Sequence, residues 1–190
     1  MEGADLFALL QISRGRFLGA GVSSSVYQGT MGEGADKEDV AAKVVGIADS
    51  DMNTLFTSEI NILCRLSHPS IVRMITAAFD HKTGVLVTGY CPNGTLGAKL
   101  GMLENADVLL GYMLDIGSAL DYIHQHLIFH RDVKPDNILL NAQGRAVLAD
   151  FGLSGQLADS NGFVTSWDST PSFIGPEVGT HHQLSPFKVK

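Results

Sequence analysis

The residues best able to do chemistry fall in one stretch: His130, Arg131, Asp132, Lys134 and Asn137, then Asp150, Phe151 and Gly152. Two carboxylates, an amine and a carboxamide are thereby gathered around one short hairpin. A carboxylate orients a hydroxyl, an ammonium meets a phosphate, and a carboxylate with an amide oxygen suits Mg²⁺, which takes oxygen ligands. That is the set of groups phosphoryl transfer requires. Singly, Asp132 has an alternative reading as a helix cap and Asn137 as a turn residue. Their joint occurrence, with Asp150 placed 18 positions after Asp132, argues for one site.

The surrounding pattern supplies elements to hold these groups. A helix is predicted over 107–127, with Leu109, Met113, Ile116, Leu120, Ile123 and Leu127 as its buried stripe. Strands over 138–140 and 146–148 flank Asn141-Ala142-Gln143-Gly144, a hairpin with Asn137 at its base and Asp150 at its exit. The first half of the chain reads as strands over 10–18, 25–28, 40–47, 71–79 and 85–88, with a Gly- and Asp-rich loop over 29–39. Between the third and fourth strands, Met52, Phe56, Leu63 and Leu66 share one helical face. Glu59 falls on that same face, where a carboxylate is costly unless it meets a cation. Lys43, the one lysine of the apolar strand 40–47, is the natural partner; its alternative is a surface lysine on an edge strand.

Bulk properties narrow the classes. The 190 residues, 45% hydrophobic and 17% charged, read as globular and as one core or two small lobes. A net charge of -7 without a Lys/Arg cluster argues against a nucleic-acid partner. No export leader is expected at Met1-Glu2-Gly3-Ala4-Asp5, and no apolar run approaches the roughly 20 residues of a membrane span. Cys64 and Cys91 lack metal-ligand spacing and read as reduced thiols, so a cytoplasmic location is expected.

The run His130-Arg131-Asp132-Val133-Lys134-Pro135-Asp136-Asn137, with Asp150-Phe151-Gly152, resembles the catalytic loop and metal motif of the eukaryotic protein kinases. Further matches extend the resemblance over roughly residues 10–178. Gly19-Ala20-Gly21-Val22-Ser23-Ser24 is similar to the glycine-rich loop, with Ser24 where a third glycine usually stands. Val40-Ala41-Ala42-Lys43 is similar to the third-strand lysine motif, and Thr88-Gly89-Tyr90-Cys91 to the hinge.

The resemblance implies an α+β, protein-kinase-like bilobal fold: an antiparallel N-lobe with one regulatory helix, and an incomplete helical C-lobe. The single domain over 1–190 would divide into an N-lobe (10–88), a hinge (89–94) and a partial C-lobe (95–190). It implies ATP and Mg²⁺ as cofactors and a protein Ser/Thr hydroxyl as acceptor. Asp132, Lys134, Lys43 and Glu59 take the catalytic positions. Leu18, Gly19, Ala20, Gly21, Val26, Ala41, Thr88, Tyr90, Cys91 and Leu139 join Lys43 around the nucleotide, and Asn137 and Asp150 hold the metal. Lys134-Pro135 is the serine/threonine-kinase pattern. Arg131 matches the group that docks an activation-loop phosphate, with Thr165, Ser166, Ser169 and Thr170 as candidate acceptors. His130 and Phe151 are implied members of a hydrophobic spine with Leu63 and Met74.

The match fades after Ser169-Thr170-Pro171 through Gly175-Pro176-Glu177, where Gly175 replaces the usual alanine and 13 residues follow. The large helical subdomain of the family is not in this stretch, and a truncated chain with one apolar face of helix 107–127 uncovered is expected. A non-catalytic ATP-binding or interaction fragment is therefore the alternative to an active serine/threonine kinase.

Overall fold

Alternation along residues 38–46 sends Val40, Ala42 and Val44 to one side of a strand and Ala41 and Lys43 to the other, and this division organises the first part of the structure. The structure, a computed structural model, describes residues 5–21, 23–103 and 105–157. Val22 of the glycine-rich run, the four phospho-acceptor candidates and Glu177 lie outside the described residues. The chain forms two compact units. One contains the described residues up to Arg65 together with Val72–Cys91; the other contains Leu66–Ile71 and the described residues from Pro92 onward.

The first unit begins with helix α1 (Leu6–Leu9), whose first turn is capped by the Asp5 carboxylate accepting from Phe7 N at 3.1 Å. Strands β1 (Ile12–Ala20), β2 (Ser24–Met31) and β3 (Glu38–Gly46) follow, then helix α2 (Ser50–Leu63), β4 (Met74–Phe79) and β5 (Thr83–Gly89). The five strands form one antiparallel sheet in the order β1-β2-β3-β5-β4. Val40, Ala42, Val85 and Val87 bury one face under Leu6 and Ile12. On the opposite face, Val26 is paired with Lys43, Ala41 with Thr88 and Lys43 with Leu86. Asp49 caps α2, accepting from Asp51 N and Met52 N at 3.0 and 2.9 Å. The helix buries Phe56, Glu59, Ile62 and Leu63 and ends at Leu63, so Leu66, expected on its face, lies past its end.

The second unit begins with the short helix α3 (Leu96–Lys99) and continues with α4 (Ala106–Gln125), β6 (Ile128–Phe129), β7 (Ile138–Leu140), β8 (Ala146–Leu148) and β9 (Gly155–Gln156). Strands β7 and β8 make the expected hairpin, with Ile138 opposite Leu148 and Leu140 opposite Ala146. Its turn closes on Asn141, whose Oδ1 accepts from Gln143 N and Arg145 N, while Gly144 takes φ +72°. Strand β6 pairs with β9. Helix α4 departs from expectation: it buries Asp115, Ile116, Ala119 and Ile123, whereas Leu109 and Met113 are exposed. Contacts with β6 and β8 cover its second half, and among the described residues Val108 to Leu114 have no comparable cover. The fold is thus α+β, with the expected antiparallel sheet and a partial helical portion.

Candidate functional site

In the first unit, the strand lysine and the inward carboxylate meet. Lys43 Nζ lies 2.9 and 3.0 Å from the two Glu59 carboxylate oxygens, with the side chains 21% and 5% exposed. In a pair this desolvated, each charge helps to satisfy the other. It fixes the ammonium of Lys43 on the same sheet face as Val26, Ala41 and Thr88. The glycine-rich turn is a hairpin in which Gly21 N donates to Ser24 O at 2.9 Å. Nothing lies within 4 Å of where a Cβ on Gly19 would stand, so the backbone there is open to an approaching group. Leu18 and Ala20 flank it in β1. At the end of the sheet, the Tyr90 hydroxyl accepts from Arg16 at 2.8 Å. Cys91 is half-buried, and burial pushes its thiol pKa up, which disfavours the reactive thiolate.

In the second unit, Asp132, Lys134 and Asn137 interlock. The 3₁₀ turn Pro135–Asn137 starts with a proline, whose fixed φ suits a first helical position, and Asn137 N donates to Lys134 O at 2.9 Å. This brings Lys134 Nζ to 2.7 Å from Asp132 Oδ2. Asn137 Nδ2 donates to the same Oδ2 and to the Asp132 carbonyl, both at 2.8 Å. Asp132 is buried, so its carboxylate is held in place rather than free to sample solvent.

Spending Nδ2 on Asp132 orients the Asn137 amide, and among the described residues its Oδ1 accepts no hydrogen bond. A buried amide oxygen without a donor is one ready to meet a cation. Asp150 is exposed at the exit of β8, and Ala149 N donates to Asn137 O at 2.9 Å, which ties the two candidate ligands together. An amide oxygen and a carboxylate fit Mg²⁺, which keeps waters and phosphate oxygens for its remaining positions. Among the described residues no cluster of three His, Cys, Asp or Glu offers an all-protein metal cage.

The local backbone is strained where these groups sit. Arg131 and Asp150 adopt φ +69° and +60°, unusual for residues with a Cβ. The Arg131 Nε donates to the Leu153 carbonyl, and its guanidinium lies over the Phe129 ring at 5.5 Å. His130 packs edge-on against Phe151 with ring centres 4.7 Å apart. Its Nε2 faces the Ala149 carbonyl at 2.9 Å, and its Nδ1 faces Asp132 N at 3.4 Å. Nε2 must therefore carry the proton and Nδ1 accept. Burial pushes the His130 pKa down, keeping that neutral form. Leu139, half-buried, is paired with Val147 in the hairpin.

One charged pair of this region is absent from the sequence reading. Asp115, buried on α4, meets Arg145 of the hairpin. Asp115 falls off the stripe that the helical periodicity of 107–127 picks out, so the local pattern gives no signal for it.

Comparison with known proteins agrees with the geometry. The sequence matches the protein kinase domain family over residues 12–187. It is similar to "CBL-interacting protein kinase 8" of Oryza sativa subsp. japonica, at 31% identity over 173 residues that cover 88% of this chain and 38% of that protein. "CBL-interacting serine/threonine-protein kinase 14" of Arabidopsis thaliana is 34% identical over 171 residues, covering 86% of this chain and 38% of that protein. "Wall-associated receptor kinase-like 14" of Arabidopsis thaliana is 32% identical over 176 residues, covering 88% and 24% respectively. The chain thus spans 24% to 38% of the length of these relatives.

Proposed function

Because this chain belongs to the protein kinase domain family, we propose that it transfers the γ-phosphoryl group of ATP to serine or threonine hydroxyls of a protein, with Mg²⁺ as cofactor. The observation that carries this reading is the Asp132 carboxylate held between Lys134 at 2.7 Å and Asn137 at 2.8 Å. In it, Asp132 orients the acceptor hydroxyl and takes its proton as the new O–P bond forms and the β–γ bridging bond breaks. Lys134 meets the negative charge of the transferring group. Lys43, aimed by Glu59, meets the α- and β-phosphates. Backbone N–H groups around Leu18, Gly19, Ala20 and Gly21 face the phosphates, and Val26, Ala41 and Leu139 enclose adenine. Thr88, Tyr90 and Cys91 belong to the hinge segment that binds the base through its backbone.

Asn137 and Asp150 hold the metal, which neutralises phosphate charge when bound. Most of the rate then comes from positioning and charge neutralisation. The Lys134-Pro135 pattern supports serine/threonine acceptors, and so does the name of one relative. A net charge of -7 favours a protein over a nucleic-acid partner. The free thiols Cys64 and Cys91 support a cytoplasmic location; among the described residues no helix is long and apolar enough to cross a membrane.

The test is γ-phosphoryl transfer to a protein acceptor by purified chain, with Asp132→Asn as the blank. Transfer that depends on Asp132 is expected, with nucleotide binding kept in the variant. Equal transfer by both proteins would remove Asp132 from the reaction. A second reading, a non-catalytic ATP-binding or interaction module, draws on the exposed apolar side chains of α4, such as Leu114 at 66% exposure. ATP binding without Asp132-dependent transfer would select it.

A further inference from the structure

Asp115 sits in the third turn of α4, on the face that also buries Ile116, Ala119 and Ile123. Aspartate is a poor residue for a helix interior, and a carboxylate 3% exposed is costly without partners. An apolar side chain would fill the position at lower cost, so the carboxylate itself needs a reason. Among the described residues, all its hydrogen-bond donors come from one place. Arg145 Nε donates to Asp115 Oδ2 at 2.9 Å, Arg145 Nη2 donates to Oδ1, and Ala146 N donates to Oδ2 at 3.0 Å. The two-pronged guanidinium contact fixes angle as well as distance. The added backbone bond to Ala146 fixes which residue of the hairpin faces the helix.

From this anchor the structure runs in short, rigid steps to the candidate metal ligands. Strand β8 is three residues long, and Leu148 N donates to Ser70 O at 2.9 Å. The next residue, Ala149, donates to Asn137 O at 2.9 Å, and Asn137 Nδ2 reaches the Asp132 carboxylate at 2.8 Å. Asp150 follows immediately, in its left-handed conformation. A slip of β8 along α4 would therefore displace Asn137 and Asp150 together.

We propose that Asp115, acting through Arg145 and Ala146, is a positioning residue that sets the spacing of Asn137 and Asp150 for the metal. The inference rests on the reading of those two residues as Mg²⁺ ligands given above. It makes a claim that a purely structural ion pair does not: the metal requirement changes while the metal-free nucleotide affinity stays. Arg145 is the better probe because its side chain is 67% exposed, so its removal spares the core.

The experiment measures binding of N-methylanthraniloyl-ATP to the whole chain against Mg²⁺ concentration, and again in EDTA. Wild type is compared with Arg145→Met, Arg145→Lys, Asp115→Asn and Asp150→Asn, each checked for its folded fraction. Arg145→Met and Asp115→Asn are expected to raise the half-saturating Mg²⁺ about three- to tenfold, at or below the 10–100-fold typical of direct outer-shell partners of metal ligands. Affinity in EDTA stays unchanged, and Arg145→Lys recovers part of the shift. A shift in Asp150→Asn with none in Arg145→Met or Asp115→Asn overturns the positioning role and leaves an ordinary ion pair. No Mg²⁺-dependent change in Asp150→Asn, or none in wild type, overturns the ligand reading itself and the positioning role with it.

Discussion

Helices α2 and α4 each turn one carboxylate inward, and each carboxylate is met by a cation, Lys43 from strand β3 and Arg145 from the hairpin turn before β8, yet the two pairs are built differently. Glu59 and Lys43 are both withdrawn from water, the lysine at 21% side-chain exposure. Asp115 is as buried as Glu59, but Arg145 reaches it from the surface at 67% exposure. In the first pair neither ion has solvent to fall back on. In the second, the arginine does. The difference teaches that the buried carboxylate marks a place where position is controlled, while the exposure of its cation decides what losing the pair costs.

The sharpest way to break this comparison is Lys43→Met. It leaves Glu59 buried without its Lys43 partner, for which the expected loss of stability is up to about 3–5 kcal/mol. The same change should abolish the stabilisation that Mg-ATP gives, about 2.7 kcal/mol at 100 times the dissociation constant. Chemical denaturation with and without Mg-ATP measures both. A variant as stable as wild type would show that Glu59 finds water or another partner readily, and the contrast with Asp115 would collapse.

The two pairs also differ in how far they were legible from sequence. Glu59 stood out because its helix is short, its face is defined by Phe56 and Leu63, and one lysine occupies the neighbouring apolar strand. Asp132, Lys134, Asn137 and Asp150 are legible for a related reason: their chemistry is concentrated at the two ends of one short hairpin. Asp115 is hidden because the apolar periodicity of α4 predicts a stripe through Leu109, Met113 and Ile116, which places residue 115 off the face. Which face of a 20-residue helix packs is decided by what covers it, and that partner, the hairpin residue Arg145, lies 30 positions away. Local periodicity carries no record of it. Strand boundaries failed for a local reason. Helix α1, unread in the sequence, takes Leu6–Leu9, and Gln11 turns at φ +56°, so β1 starts at Ile12 rather than residue 10.

Glycines sharpen the contrast between the helices at lower energy, and with opposite signs. Gly84 of β5 lies under α2, where an added Cβ would stand 2.5 Å from the Phe56 ring. Phe56 is buried and packs edge-on against Phe79 at 6.2 Å, so the ring has little room to yield. Gly84→Ala is expected to cost about 1–3 kcal/mol by overpacking. Gly117 of α4 is exposed, and nothing lies within 4 Å of its would-be Cβ. Gly117→Ala should therefore stabilise by about 0.5–1 kcal/mol, the helix-interior difference between the two residues. Equilibrium denaturation of the two variants decides the matter, and a destabilised Gly117→Ala would mean that this face of α4 is covered after all.

The smallest effect expected is one of pH, and it isolates the Asp115–Arg145 pair. Hydrogen bonding from Arg145 is the largest influence holding the Asp115 pKa below its usual value; Ala146 N and the charges of Arg145 and His68 help, and burial opposes them. A carboxylate whose pKa is depressed on folding adds stability above its unfolded value, about 3.9, and that stability is lost as pH falls through the folded value. Arg145→Met removes the largest lowering influence and leaves burial, which raises the pKa. The Asp115 contribution should then be smaller at neutral pH, and its loss should set in at higher pH than in wild type. Other groups titrate in the same range. Asp80 is lowered by backbone donors at Lys82 and Thr83, and His124 and His130 are lowered by burial, so all three also withdraw stability on acidification. They are common to both proteins and cancel in the difference. The measurement is the denaturation midpoint of wild type and Arg145→Met at pH steps from about 2 to 7, a range that brackets the carboxylate and imidazole values. The gap between the curves should close as Asp115 protonates in both; a constant gap down to the lowest pH would mean that Arg145 supports the hairpin by packing alone.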